Sequence, residues 1–398
     1  MIVEPVDWLE GKVRAPPSKS YTHRAFFLAL LADGESTIEE PLVSDDTEAT
    51  LNAIRAFGAE ADWNRVVPPE ELRKAEINAR ESGTTARISV AVASLARGRS
   101  VIDGQGRLRE RPFAPLVRAL RSLGVTVRGE KLPIEVFGGM PGGRVSVDAS
   151  LSSQFVTALL ILASKVGMRV EFEKAVSKPY IEMTLRTMEA FGVTFERNGG
   201  VRVFPGVKGT KFHVPGDYSS ASFFLVAGAL YGRVRVENLD PGDVQADMAI
   251  VEILGEIGAN VKVGGDYVEV SRGELRGFEI NCSDFPDLFP ILSVLAAYAE
   301  GRSVIRGRQL RYKESDRVRA MAVNLARAGI KVRELEDGLE IHGGRPRGVV
   351  VEDFNDHRVA MAMAVLGLGA RGKTVIKNER VVAKSYPGFF GDLRRLLG

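Results

Sequence analysis

NLARAGIKVRELEDGLEIHG, residues 324–343, decides the fold. Gly329 ends an apolar-periodic helix in the manner of a C-cap, residues 330–333 read as a strand, and Asp337-Gly338 turns the chain into a second strand. Upstream of this helix lies another kind of segment: a short branched-aliphatic run, a loop rich in Ser, Thr, Asp or Gly, an apolar helical stretch, and a glycine. That segment recurs six times, over 12–34, 76–98, 144–167, 212–232, 279–301 and 349–372, with closing glycines 64 to 71 residues apart. The amphipathic helix between copies closes at Gly58, Gly124, Gly192, Gly258, Gly329 and Gly398. The repeating unit is therefore strand, helix, strand, helix, hairpin, and the class is α/β (α+β). Units of about 65 residues are too small to bury both faces of their helices alone, so the copies must pack together. Two groups of three is the economical arrangement; an elongated solenoid is the alternative that spacing alone leaves open.

Composition narrows the function. The 398 residues are 45% hydrophobic and 26% charged, ordinary for a soluble chain of two or three domains. One cysteine, Cys282, and four histidines, His23, His213, His342 and His357, supply neither a disulfide framework nor a Cys/His metal cluster, so no metal is expected. A reducing, cytoplasmic setting is the natural expectation, since the N-terminal residues resemble no export leader and no apolar run spans a bilayer. A formal charge of +3 is small for a nucleic-acid scaffold, although clustered basic groups could hold a small anion. Neither a P-loop, a dinucleotide fingerprint nor a Gly-x-Ser-x-Gly elbow is present, so no nucleotide cofactor is indicated.

Interest falls on the six loops that open the apolar helices, because a helix N-terminus offers unpaired N–H groups and a positive dipole end to anions. In PPSKSYTHR (16–24), Ser18 and Ser20 are hydroxyl donors, Lys19 is a point charge, and Arg24 lies one turn beyond Ser20. Ser20 on its own reads as an N-cap. ESGTTAR (81–87) presents Gly83 where a ligand can approach the backbone, then Thr84, Thr85 and Arg87. LSSQF (151–155) places Ser152, Ser153 and Gln154 at a helix start, and SKPY (177–180) adds Ser177 and Tyr180. Caps explain each of these equally well. The last three loops carry carboxylates: Asp217 in GDYSSAS, Asp284 and Asp287 in DFPDLFP, and Asp353 and Asp356 beside His357 and Arg358 in DFNDHR. Most such carboxylates are caps. Asp287, bracketed by Pro286 and Pro290 in an apolar stretch, is the one placed to act as a base. RYKESDR (311–317) adds Lys313, Glu314, Asp316 and Arg317; AKSYPG adds Lys384; GRLRERP (106–112) carries Arg107, Arg109 and Arg111. A solvated charged face is the commoner meaning of such runs.

Taken in order, PPSKSYTHR, SGTTAR, RLRERP, SSQF, SKPYIEMT, GDYSSAS, FPD, KESDR, NDHRVAMA and AKSYP make the whole chain resemble the 5-enolpyruvylshikimate-3-phosphate synthase family. The resemblance implies a two-domain inside-out α/β barrel, each domain made of three βαβαββ repeats, with the active site in the interdomain cleft. The chain would cross near Val13 and Val214, giving domains of 14–214 and of 1–13 plus 215–398. It also implies the substrates shikimate 3-phosphate and phosphoenolpyruvate, no cofactor, no nucleic-acid or membrane partner, and a monomer. By the same matching, shikimate 3-phosphate would meet Lys19, Ser20, Arg24, Ser152, Ser153, Gln154, Ser177, Tyr180, Asp287 and Lys313. Phosphoenolpyruvate would meet Lys19, Gly83, Arg107, Gln154, Arg317, Arg358 and Lys384. Asp287 resembles the proton acceptor for the attacking hydroxyl, Glu314 the group exchanging protons at C3, Lys19 a stabiliser of developing charge, and His357 an assistant on the phosphate side.

Two positions depart from the family pattern. Glu81 stands where an asparagine is usual, and Gln309 where a substrate-contacting asparagine is common. Gly83 matches the glycine that admits glyphosate. The sister enolpyruvyl transferase acting on UDP-N-acetylglucosamine is the rival reading, but the loop 101–112 lacks the reactive cysteine usual there. A non-catalytic polyanion binder is the alternative from another class, opposed by the modest charge.

Overall fold

The computed structural model describes residues 1–139 and 141–398, and in it the stretch 324–343 forms the element the glycine and the turn dictate. A helix runs to Arg327, Gly329 takes φ +81°, and strands Lys331–Glu334 and Gly338–His342 pair antiparallel with Lys331 opposite His342. Only glycine adopts that φ without a Cβ penalty, so the chain reverses there rather than continuing the helix.

Two units result, one of Pro17–Val214 and one of Met1–Pro16 with Pro215–Gly398. The first holds helices α1 (Lys19–Leu31), α2 (Asp45–Ala56), α3 (Gly83–Val92), α4 (Ala114–Ser122), α5 (Gln154–Val166) and α6 (Lys178–Ala190). The second holds α7 (Tyr218–Tyr231), α8 (Ala249–Glu256), α9 (Phe289–Tyr298), α10 (Arg317–Arg327), α11 (His357–Gly367) and α12 (Phe389–Leu397).

One pattern serves the five four-stranded sheets. Gly143–Asp148 runs parallel to Met168–Glu173, which pairs antiparallel with Val201–Val203, itself in a hairpin with Phe195–Arg197. The strands Glu76–Asn78, Arg99–Asp103, Ile134–Phe137 and Thr126–Arg128 repeat it, as do Glu279–Asn281, Arg302–Arg306, Gly338–His342 and Lys331–Glu334. Two repeats exchange their leading strands. Leu9–Arg14, which leads into α1, lies parallel to Gly232–Glu237 in the second unit, while Lys211–His213, which leads into α7, lies parallel to Ser36–Glu39 in the first. In the sixth sheet Val350–Val351 is parallel to Thr374–Ile376, and the N-terminal strand Ile2–Val3 takes the place of the hairpin.

Sequence chemistry explains the layering. The run YSSASFFLVAGALY is small or apolar all round, so α7 has no face suited to water, and each of its residues is buried. Helices α9 and α11 are the same kind, and in the other unit α1, α3 and α5 are buried over most of their length. Helix α4, APLVRALRS, buries Leu116, Val117, Ala119 and Leu120 and turns Arg118 and Arg121 outward. Apolar helices therefore fill the middle of each unit, and the sheets alternate buried and exposed residues on its outside, an inside-out mixed α/β architecture. A fully buried leucine such as Leu292 of α9 contributes about 1.5–3 kcal/mol, which is why helix burial rather than the two- to six-residue strands carries the stability. Among the described residues no helix is long and apolar enough to cross a membrane.

Candidate active site

The first unit gathers its polar loops at helix starts. Helix α1 begins at Lys19, and its cap is Ser18, whose Oγ accepts the Tyr21 N–H at 3.5 Å. This corrects the expectation for Ser20, which sits inside the first turn with a half-buried side chain. Lys19 Nζ donates to Asp46 Oδ2 at 2.7 Å, and Asp46 is placed by Ser44, the N-cap of α2, in a capping box with Thr47. Arg24, buried, spans three helices: it donates to Ser20 O of α1 at 2.8 Å, to Thr184 Oγ1 and Tyr180 O of α6, each at 2.9 Å, and to Thr157 Oγ1 of α5 at 3.4 Å. It thus fixes the start of α1 against the first turn of α6. Ser177, the residue before α6, is held left-handed at φ +54°, a conformation that costs a non-glycine residue about 1–3 kcal/mol and marks a constrained site.

At α3 and α5 the theme is cation burial. Gln154 Oε1 accepts from Arg87 Nη1 at 2.6 Å while its Nε2 donates to Thr84 Oγ1 at 3.1 Å, so one amide ties the first turns of both helices together. Ser152 Oγ accepts the Gln154 N–H at 3.2 Å, and Ser153 is the residue that precedes α5. The Arg87 guanidinium, almost wholly buried, also donates to Pro112 O at 3.0 Å and lies 4.7 Å from the Phe113 ring centre and 5.4 Å from that of Phe155. Arg111 comes to the same place from the arginine-bearing turn. A Cβ built on Gly83 would stand 2.6 Å from Arg87 Nη1 and 2.8 Å from Arg111 Nη1. Two guanidiniums and the open end of α3 therefore converge on a residue with no side chain, an arrangement suited to phosphate or carboxylate.

The second unit builds a charge cluster around one arginine. Arg317, the first residue of α10 and fully buried, meets Asp287 Oδ1 at 2.7 Å, Glu314 Oε2 at 2.7 Å and Asp356 Oδ2 at 3.0 Å. Lys313 lies 3.7 Å and Arg358 3.2 Å from Asp287. Ser315 Oγ donates to Asp356 at 2.9 Å, and Asp356 caps α11 by accepting the Arg358 N–H at 2.9 Å. His357, buried, opens α11, and Lys384 Nζ donates to the carbonyl of Asn355 at 2.7 Å. Burial pushes the Asp287 carboxyl up, yet Arg358, Lys313 and Arg317 together outweigh it and hold Asp287 well below the usual carboxylate range. Burial works against the Arg317 charge too, and Asp356, Glu314 and Asp287 overcome it and hold the guanidinium firmly protonated. Asp247, buried beside Ser219, goes the other way: burial, reinforced by the Asp287 charge, pushes it up to about 7.

The model of the family described as EPSP synthase (3-phosphoshikimate 1-carboxyvinyltransferase) matches residues 3–393. This chain belongs to the EPSP synthase family. The 3-phosphoshikimate 1-carboxyvinyltransferase of Pyrococcus abyssi is 67% identical across 100% of this chain and 97% of its own, and that of Thermococcus kodakarensis 66% across 100% of both. Among solved structures, an EPSP synthase from Acinetobacter baumannii superposes with a TM-score of 0.80 at 27% identity, covering 99% of this chain and 97% of that one.

Within this member of the EPSP synthase family, the residues singled out by sequence fall into the two clusters just described. Lys19, Ser20, Arg24, Gly83, Ser152, Ser153, Gln154, Ser177 and Tyr180 lie at helix starts of the first unit, and Asp287, Lys313, Glu314, Arg317, His357, Arg358 and Lys384 in the second. Arg107 sits on the 3-10 turn Gly106–Glu110, but the arginines nearest Gly83 are Arg87 and Arg111. Glu81 points its carboxylate at Gly106, the foot of that turn, and Gln309 donates to Ser283 O at 2.7 Å. Sequence reasoning left out Asp46 under Lys19 and Ser315 behind Arg317, and it named Arg111 and Asp356 without their roles over Gly83 and behind Arg317. The signal for Asp356 was present in NDHR, where a cap and a cation are adjacent; that for Arg111 was hidden among three arginines.

Proposed function

We propose that the chain transfers the enolpyruvyl group of phosphoenolpyruvate to the 5-hydroxyl of shikimate 3-phosphate and releases phosphate, with both clusters serving this one reaction. The observation that carries the chemistry is the cation set around Asp287. Arg358, Lys313 and Arg317 all face its carboxylate, which makes it a weak base. An arriving phosphate or carboxylate competes for Lys313 and Arg358, and each cation drawn away lets burial raise Asp287 toward a basicity useful near neutral pH. Binding thereby arms the base. Asp287 then takes the proton of the 5-hydroxyl as its oxygen attacks C2, and Glu314 delivers a proton to C3. Collapse of the adduct returns a C3 proton to Glu314, re-forms the C2–C3 double bond and expels phosphate toward Arg358, His357 and Lys384. From the first unit, Lys19, Gln154, Arg107 and the backbone at Gly83 hold phosphoenolpyruvate, while Ser20, Arg24, Ser152, Ser153, Ser177 and Tyr180 orient the acceptor. Acid, base and positive charge suffice for these steps, so no metal or organic cofactor is invoked. The protein works as a cytoplasmic monomer on small molecules.

The test is phosphate release from phosphoenolpyruvate with either shikimate 3-phosphate or UDP-N-acetylglucosamine as acceptor. Release with the first and none with the second is expected; the reverse would replace this reading by its sister transferase.

A further inference from the structure

Four buried side chains link α1 to α3. His23 Nδ1 lies 2.7 Å from Thr50 Oγ1, Thr50 Oγ1 lies 2.6 Å from Thr85 Oγ1, and Thr85 Oγ1 lies 2.7 Å from Ser82 Oγ. His23 and Ser82 are 1% exposed, Thr50 and Thr85 not at all. Proton counting gives the chain a direction. Thr85 has one hydroxyl proton; its 2.7 Å contact with Ser82 Oγ has Thr85 as the donor, Asp46 O at 3.4 Å is a longer alternative, and the 2.6 Å contact with Thr50 Oγ1 admits either donor. With the proton committed to Ser82, Thr85 Oγ1 is an acceptor towards Thr50, so Thr50 donates to it. The Thr50 proton is then spent, and its oxygen accepts from His23, whose Nδ1 must carry a hydrogen. Burial first, and then Lys19 and Arg24 close by, hold His23 well below its usual range, so the ring is neutral and Nε2 is bare; Nε2 is buried and makes no hydrogen bond. The other tautomer would draw the Thr50 proton to Nδ1 and the Thr85 proton to Thr50, taking it away from Ser82.

We infer that His23 is a positioning residue for the phosphoenolpyruvate end of the site: as the Nδ1–H tautomer it heads a one-way relay through Thr50 and Thr85 that sets Ser82. Ser82 is the N-cap of α3, its Oγ also accepting the Thr85 N–H at 3.3 Å, and the next two residues are Gly83 and Thr84. The relay thus fixes the turn that faces Arg87 and Arg111. Its kinetic meaning rests on the proposed function, whereas the tautomer does not.

Two measurements test it on the full chain. In nitrogen-15 spectra of ring-labelled histidine, with His23 assigned by its loss in His23→Asn, Nδ1 should be the protonated nitrogen and stay so from about pH 5 to pH 8. A proton on Nε2, or titration in that range, overturns the inference whatever the enzyme turns over. In kinetics, Thr50→Val should raise the KM for phosphoenolpyruvate about fivefold, the size of one ordinary hydrogen bond, with kcat and the KM for shikimate 3-phosphate within about twofold. His23→Leu should match it, and His23→Asn, whose amide N–H replaces Nδ1–H, should restore the wild-type value. Equal shifts in both KM values, or His23→Asn as impaired as Thr50→Val, would show a merely structural role. Thr50→Val keeps the shape of the side chain, so the kinetic arm stands even where His23→Leu fails to fold.

Discussion

Replacing Gly83 by alanine adds one methyl group at the point where two guanidiniums meet. The new carbon would lie 2.6 Å from Arg87 Nη1, 2.8 Å from Arg111 Nη1 and 3.1 Å from Arg111 Cζ. Ordinary contact is about 3.5 Å, so both heads must retreat by roughly 0.5–1 Å. Arg87 is pinned at 2.6 Å to Gln154 and 3.0 Å to Pro112 between two rings, and Arg111 is itself buried. Overpacking of this kind costs about 1–3 kcal/mol, against a helix-propensity gain of at most ~1 kcal/mol from glycine to alanine. The net loss of about 1–2 kcal/mol corresponds to a Tm fall of roughly 2–8 °C for a unit of this size. The functional effect should be larger and one-sided. Displaced from Gln154, Arg87 no longer holds the start of α5 against α3, and the KM for phosphoenolpyruvate should rise by about tenfold or more, some 1.4 kcal/mol. The KM for shikimate 3-phosphate should stay within about twofold, and inhibition by glyphosate should weaken in parallel. Steady-state kinetics in both substrates, with thermal unfolding as control, decides the matter. A folded Gly83→Ala enzyme whose phosphoenolpyruvate KM is unchanged would refute the crowding argument.

Three further outcomes follow from the second cluster. Asp287→Ala should leave shikimate 3-phosphate binding measurable by calorimetry while cutting kcat by about 10²–10⁴, the range for a lost general base, and near-normal turnover would rule out that role. Asp356→Ala strips the fully buried Arg317 of the partner at 3.0 Å that is itself fully buried, and chemical denaturation should register a loss of about 3–5 kcal/mol; a loss under ~1 kcal/mol would mean that Asp287 and Glu314 hold the charge unaided. Asp247 is raised from 3.8 to about 7 on folding, so the native state binds the extra proton between those values and this group's contribution to stability declines as pH rises through the window. The Tm of Asp247→Asn relative to wild type should therefore climb between about pH 4 and pH 7, and a flat difference would place Asp247 as an ionised carboxylate throughout.

The repeat was legible because its punctuation is local. Gly329 and Asp337-Gly338 specify a helix end and a hairpin through their own backbone preferences, and five internal copies of that signal at constant spacing leave little choice of unit. The exchange of leading strands was not legible from periodicity, since the short apolar run before α1 reads alike whichever sheet it joins; only the family resemblance pointed to it. Nor was the replacement of the sixth hairpin by Ile2–Val3, a pairing that spans nearly the whole chain. In the candidate site, loop residues declared themselves by type, as Lys19 and Asp287 did. Their partners lay elsewhere in sequence: Arg317 reaches Asp287 across thirty residues, and Arg87 reaches Gln154 across sixty-seven. Arg87 looked like a cap-region cation in an apolar helix, and only its burial between Phe113 and Phe155 gives it a different meaning.

The N-terminal strands have a consequence for biosynthesis. Leu9–Arg14 is synthesised early but finds its partner only at Gly232–Glu237, and Ile2–Val3 waits for Thr374–Ile376. At about 5–20 residues per second the second wait is roughly 20–75 s, during which residues 17–214 can fold with every one of their sheet partners already made. The leading segment spends that time as an unpaired edge, so a nascent chain stalled after residue 214 should carry one protease-resistant body and a cleavable N-terminal tail.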